Sequence, residues 1–178
     1  GASEMLGRAE LRAWADRKTR RSASSPRVRI TPSTPAQPEH RSGSQPMPVG
    51  QELIAIGAST GGTVALTDLL RQLPADSPPI VIVQHMLAEF TRDFAEHLNA
   101  ACALKVRVAE DAARVQRGSV LLAPGGRHMH LARGADGQLH VRLSDQPPVG
   151  MHRPSVDVLF ESCAELNGAS TLGVLLTG

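Results

Sequence analysis

From residue 52 onward the chain alternates short, unbroken apolar runs with stretches of helical periodicity, and this rhythm constrains its fold more than any other feature. Leu53 to Ile56 has the length of a strand, and Val64, Leu66, Leu69, Leu70 and Leu73 share one face of a helix over Thr63 to Leu73. Ile80 to Val83 is a second run; Phe90, Phe94, Leu98 and Cys102 recur at helical spacing, and Leu104 to Val108 gives a third strand. A strand that is apolar on both sides must be covered on both faces. Such runs separated by helices predict an α/β domain, a doubly wound and mostly parallel sheet whose ligands gather at the carboxyl ends of its strands.

The middle of the chain departs from this rhythm. Ser119 to Ala123, His128 to Ala132 and Gln138 to Leu143, separated by Pro124-Gly125-Gly126 and Arg133-Gly134-Ala135-Asp136-Gly137, read as short antiparallel strands with tight turns. They predict a β-hairpin insertion. After Pro154 a helix sets Val156, Leu159, Phe160, Cys163 and Leu166 on one face and stops at Asn167-Gly168, and Thr171 to Leu176 forms a last buried strand.

Length and composition, 178 residues with 41% apolar, fit one domain plus a tail. The net charge of +2 is unevenly placed: residues 1–50 hold nine basic against four acidic side chains, and the remainder ten against thirteen. The basicity belongs to the tail, and with only 2% aromatic residues a nucleic-acid-binding domain is disfavoured. Residues 1–21 carry a short amphipathic pattern, Glu4-Met5-Leu6 and Leu11-Arg12-Ala13-Trp14. Residues 22–50, rich in Ser, Pro and Arg, read as a disordered linker. Cys102 and Cys163 lack a CxxC partner, and no signal peptide or membrane-spanning apolar stretch is seen, which predicts a cytoplasmic protein without membrane insertion. Both cysteines fall in apolar helical patterns and are expected to be buried packing residues.

The chemistry centres on Ser59. Gly57-Ala58-Ser59-Thr60-Gly61 satisfies G-x-S-x-G between a strand and a helix, a placement that lifts a serine hydroxyl off the sheet next to backbone N–H groups at a helix start. The string alone is short, and Ser59 and Thr60 capping the helix is the plainer alternative. His85 shifts the balance, because it leaves the next strand at the corresponding position and a serine needs a neutral imidazole to take its proton. Gly61-Gly62 cradling a phosphate is a weaker reading, since neither G-x-G-x-x-G nor G-x-x-x-x-G-K-[ST] is present. His128 and His130 share a strand face without a supporting carboxylate or cysteine cluster, so a structural role is expected rather than a metal site. His97 belongs to a helix's solvent side, and His140 and His152 have no obvious partner.

Five ordered motifs carry a resemblance that runs from about Glu52 to the last residue. Ile56-Gly57-Ala58-Ser59-Thr60-Gly61-Gly62 comes first, then Gln84-His85-Met86 with Phe90-Thr91, then Ala123-Pro124-Gly125 with Arg127-His128-Met129. His152-Arg153-Pro154-Ser155-Val156-Asp157-Val158-Leu159-Phe160 and Gly173-Val174-Leu175-Leu176-Thr177-Gly178 complete the series. In this order the motifs resemble the CheB family, the protein-glutamate methylesterases of bacterial chemotaxis. The resemblance implies a catalytic domain over residues 51–178, truncated at its C-terminus, behind a linker and a remnant of an upstream receiver domain at 1–21. It implies Ser59 as nucleophile and His85 as general base, with no metal or cofactor. The family's third member is an aspartate in a Met-Gly-x-Asp-Gly segment just past Leu-Thr-Gly. Asp68, Asp93 and Asp157 are helical and Asp111 lacks the motif, so residues 51–178 by themselves are expected to have low activity. The implied reaction is hydrolysis of γ-glutamyl methyl esters on the cytoplasmic helices of chemoreceptors, with related glutamine deamidation. A non-enzymatic module that docks receptor or receiver domains is the alternative of a different class.

Overall fold

The strands sort their side chains into two apolar sets with a period of two. Leu53 and Ala55, Val81 and Val83, and Leu121 with Ala123 join one buried cluster. Ile56 and Ala58, Ile80 and Ile82, and Val120 with Leu122 join another. The two sets are the two faces of one sheet, and each face needs a cover. The computed structural model describes residues 52–166 and 170–177 and supplies both covers.

Its elements are β1 (Glu52–Ala58), α1 (Gly62–Arg71), β2 (Ile80–Gln84), α2 (Ala88–Ala101), β3 (Lys105–Val108), β4 (Ser119–Leu122), β5 (His128–Arg133), β6 (Leu139–Ser144), α3 (Val156–Ala164) and β7 (Ser170–Leu175). The main sheet has the order β3-β4-β2-β1-β7 and all its pairings are parallel. Helices α1, through Leu66 and Leu70, and α2, through Phe94, Ala95 and Leu98, cover one face. On the other lie α3, through Leu159 and Cys163, and the antiparallel β5–β6 ribbon, through Met129, Leu131, Leu139 and Val141. The chain moves outward from β1 to β2 and on to β3 and β4, then returns past β1 to β7. This reversal puts the topological switch point between β1 and β7, next to the exit of β2, where open α/β sheets hold their ligands.

The expected doubly wound, mostly parallel architecture is present, with two corrections to its strands. The last run, expected to be buried, forms β7 at the edge of the sheet, where Leu172 and Leu175 are more than half exposed because no further strand pairs with it among the described residues. Ser119–Leu122 is not a strand of the antiparallel insertion but β4, a parallel strand between β2 and β3. The reason is burial: Val120, Leu121, Leu122 and Ala123 are all enclosed, so this run is apolar on both sides rather than alternating. Pro124-Gly125-Gly126 resembles a hairpin turn in sequence but carries the chain off the sheet. Gly125 presses on the backbone of Ala88 so closely that a Cβ there would collide with it. The loop from β3 to β4 contains no helix among the described residues and instead lies along β6, with Ala112 and Val115 donating to the carbonyls of Val141 and Leu139.

The two cysteines differ. Cys163 is buried in α3, which pushes its thiol pKa up to about 11. Cys102 is only half-buried and follows the last turn of α2 in an extended conformation, a departure from the expected helical core position. The upstream remnant at 1–21, the linker at 22–50 and the helix stop at Asn167-Gly168 lie outside the described residues.

Candidate active site

The register of the central strands builds the site. Ala58 pairs with Gln84, so the next residue on each chain, Ser59 and His85, leaves the sheet beside the other. His85 N–H donates to the Ala58 carbonyl at 3.0 Å, which holds the two exits together. Gln84, almost fully buried, spans them with its amide: Nε2 donates to the carbonyls of Ser59 at 2.9 Å and His85 at 3.1 Å. Ser59 N–H donates to Thr177 Oγ1 at 3.2 Å, tying the serine loop to the segment after β7.

Glycines permit this packing for two different reasons. At Gly61 φ is +80°, the left-handed turn that starts α1. At Gly57 and Gly62 the reason is space: a Cβ on Gly57 would collide with Val156 of α3, and one on Gly62 with the Gln84 side chain. The first glycine of G-x-S-x-G therefore serves the approach of α3 to β1 rather than the turn itself.

Ser59 Oγ lies 3.2 Å from His85 Nδ1. The helix-cap alternative for Ser59 and Thr60 does not hold, because α1 is capped by Gly61 without a side-chain hydrogen bond. The N–H groups of Thr60 and Gly61 donate to no described residue, and they stand at the amino end of α1 where negative charge is favoured. His85 is half-buried, and its Nε2 is buried without a hydrogen-bond partner among the described residues. Burial, then the neighbouring His152, lower its pKa below the ordinary 6.5, while Asp157 acts in the opposite direction. The imidazole therefore stays neutral at neutral pH, with a ring nitrogen open to accept a proton.

The remaining histidines separate clearly. His152 stacks on His85, the ring centroids 3.8 Å apart and the planes within 11° of parallel. His128 is fully buried, with both ring nitrogens engaged by the backbone of Pro147 and Ser155. His130 Nε2 lies 3.0 Å from Ser144 Oγ, His140 contacts Asp136 and the Ala112 carbonyl, and His97 is exposed on α2. Gln84, Thr177 and His152 are the parts that sequence reasoning missed as contributors to the site. Gln84 gave one signal, an amide closing an apolar strand directly before the candidate base.

Residues 54–178 match the family model of CheB methylesterase. The chain belongs to the CheB methylesterase family. A protein-glutamate methylesterase/protein-glutamine glutaminase of Pectobacterium atrosepticum is 52% identical over 147 residues, covering 82% of this chain and 41% of the relative. The protein of the same name from Bordetella pertussis is 50% identical over 161 residues, covering 89% of this chain and 45% of its own length. The crystal structure of the Thermotoga maritima CheB methylesterase catalytic domain superposes with a TM-score of 0.69 at 37% identity, covering 73% of this chain and 69% of that one. The chain spans less than half the length of these two curated relatives. The fold match to a CheB catalytic domain agrees with the five-stranded parallel sheet.

Proposed function

We propose that this chain carries the catalytic site of a protein-glutamate methylesterase, a serine hydrolase that removes methyl groups from γ-glutamyl methyl esters of chemoreceptors and deamidates receptor glutamine. One observation carries the reading: the 3.2 Å approach of Ser59 Oγ to His85 Nδ1 at adjacent strand exits. The names of the relatives support the substrate class.

The geometry supports the following steps. Ser59 Oγ attacks the ester carbonyl carbon as His85 Nδ1 takes the hydroxyl proton, and the carbonyl oxygen becomes an oxyanion. The N–H groups of Thr60 and Gly61, at the start of α1, are the donors placed to receive it. Collapse of the intermediate breaks the bond to the methoxy group, which leaves as methanol with the proton from His85, and the glutamyl group stays on Ser59. Water then attacks that acyl carbon while His85 takes its proton; returning the proton to Ser59 Oγ frees the glutamyl carboxylate. With glutamine the leaving group is ammonia. The tautomer this requires has its proton on Nε2.

The site is expected to work in the cytoplasm on the receptor's helices, under an upstream receiver domain. Among the described residues no helix is long and apolar enough to cross a membrane. A docking module would have no use for a serine and a neutral imidazole within proton-sharing distance. Ser59→Ala in the whole protein tests the choice: release of methanol from methylated receptor should vanish while receptor binding persists. Full hydrolysis by that variant would overturn the enzyme assignment to this site.

A further inference from the structure

We propose that His152 is a positioning residue for His85, its ring laid on the face of the imidazole by a strap, residues 147–155, whose two ends are clasped by the buried His128. The proposal rests on the reading of His85 as the general base.

The strap is built from the inside outward. His128 Nδ1 accepts the N–H of Ser155 at 3.2 Å, which leaves the ring proton on Nε2, where it is donated to the Pro147 carbonyl at 3.1 Å. One imidazole with no solvent exposure thus holds both ends of a nine-residue excursion in a single tautomer. Arg153 adds a second tie, donating from Nη1 to the carbonyls of Asp145 at 2.9 Å and Gln146 at 3.2 Å. Its own carbonyl accepts the N–H of Gly126 at 3.1 Å. Between the ends, Val149 and His152 exchange both backbone hydrogen bonds at 3.1 Å around a two-residue turn with φ of 59° at Gly150 and 65° at Met151. Positive φ at both central positions is the type I′ geometry. A methionine held there is strained, and its side chain is 92% exposed, so the turn is not maintained by burial of Met151. What the turn delivers is the adjacent ring of His152, exposed itself, onto His85.

A stacked ring supplies what the hydrogen bond to Ser59 lacks. That bond fixes the imidazole at Nδ1 alone and leaves it free to tilt about the line joining the two atoms. A parallel ring with its centroid 3.8 Å away restricts that tilt and covers one face against water. The stack also opposes a second proton on the pair, since two imidazolium rings face to face repel. Asp157 is the charged group on α3 that works against this effect, favouring the protonated form of His85.

The test uses the whole protein with methylated chemoreceptor and compares His152→Ala with His152→Phe, both at a surface position that folding should tolerate. His152→Ala is expected to lower kcat by up to about 10²-fold with KM unchanged, the signature of lost orientation rather than lost binding. His152→Phe keeps a flat partner and should recover most of kcat while the acid limb of kcat/KM moves up toward 6.5. A histidine-ring NMR titration should show the same upward move for His85 in the Phe variant, whether or not the protein turns over substrate. Unaltered kcat and an unaltered acid limb in both variants would overturn the proposal, as would a rise in KM alone, which would make His152 a substrate contact. Activity retained by Ser59→Ala would instead remove the hydrolase reading, and the NMR titration would still decide whether His152 tunes His85.

Discussion

Two serine–histidine side-chain pairs stand among the described residues of this domain, and their likeness at the level of distances makes their difference instructive. Ser59 and His85 approach to 3.2 Å; Ser144 and His130 approach to 3.0 Å. Each histidine has its pKa lowered first by burial and then by a neighbouring histidine, with a nearby carboxylate opposing. The setting separates them. His130 and Ser144 are diagonal neighbours on the β5–β6 ribbon, where His128 faces Ser144 and His130 faces Arg142 in register. Ser59 and His85 stand at the exits of two parallel strands, beside the amino end of α1 and two backbone N–H groups that donate to no described residue. The aromatic neighbours differ too, a parallel stack for His85 and an edge-on contact at 6.5 Å for His130. A short Ser–His contact is therefore not sufficient for nucleophilic chemistry; it needs a place for the developing oxyanion.

The widest gap should appear on truncating the two serines in the whole protein. Ser59→Ala is expected to lower methanol release by at least about 10⁴-fold, whereas Ser144→Ala should stay within about twofold of the parent. Equal losses would break the distinction. Next in size is the packing that lets the strand exits meet. Gly57→Val would drive a side chain into both methyls of Val156, and denaturant unfolding should show a loss of about 1–3 kcal/mol. Stability unchanged in that variant would mean that α3 does not need its close approach to β1.

A pH series sharpens the comparison further. His85 and His130 both have pKa values lowered from 6.5, so the folded protein binds fewer protons than the unfolded chain below that pH. The sign follows: stability holds above pH 6.5, falls as the pH drops through the interval down to the folded values, and levels off below them. Activity should follow only one of the two. The acid limb of kcat/KM is expected below 6.5 and should stay put in His130→Asn, while the pH slope of stability weakens. A limb that moved with His130 would place the working base on the ribbon. The smallest effect concerns the strap beside the first pair: Met151→Gly removes a side chain from a φ of 65° and should stabilise the fold by up to about 1 kcal/mol, seen as a higher Tm.

What the sequence makes legible follows from how local each signal is. The exits carrying Ser59 and His85 are readable because an apolar run and the residue that ends it are contiguous, and adjacent parallel strands joined by one helix have few ways to pair. The parallel placement of Ser119–Leu122 is not readable from the turn that follows it, because Pro124-Gly125-Gly126 serves a hairpin and a departure from the sheet equally well. Continuous burial from Val120 to Ala123 decides the matter, and burial depends on what the β5–β6 ribbon and α2 do elsewhere. His152 illustrates the limit most clearly. Nothing adjacent to it in the chain marks it as the partner of His85, since the contact depends on a turn whose ends are held by a histidine on another strand. A structural role for His128 is legible in the sequence, but strand periodicity does not name the two backbone groups it joins.

The central claim, that Ser59 alone of the two serines shares its proton with a base placed for catalysis, is tested most directly by replacing each with cysteine and following alkylation against pH, with peptide mapping to set Cys102 and Cys163 apart. The thiol in Ser59→Cys should react with an apparent pKa below about 7.5, against about 8.5 for a free cysteine, and should lose that advantage when His85→Gln is added. An ordinary pKa at this position, indifferent to His85, or a stronger depression in Ser144→Cys, would contradict the account.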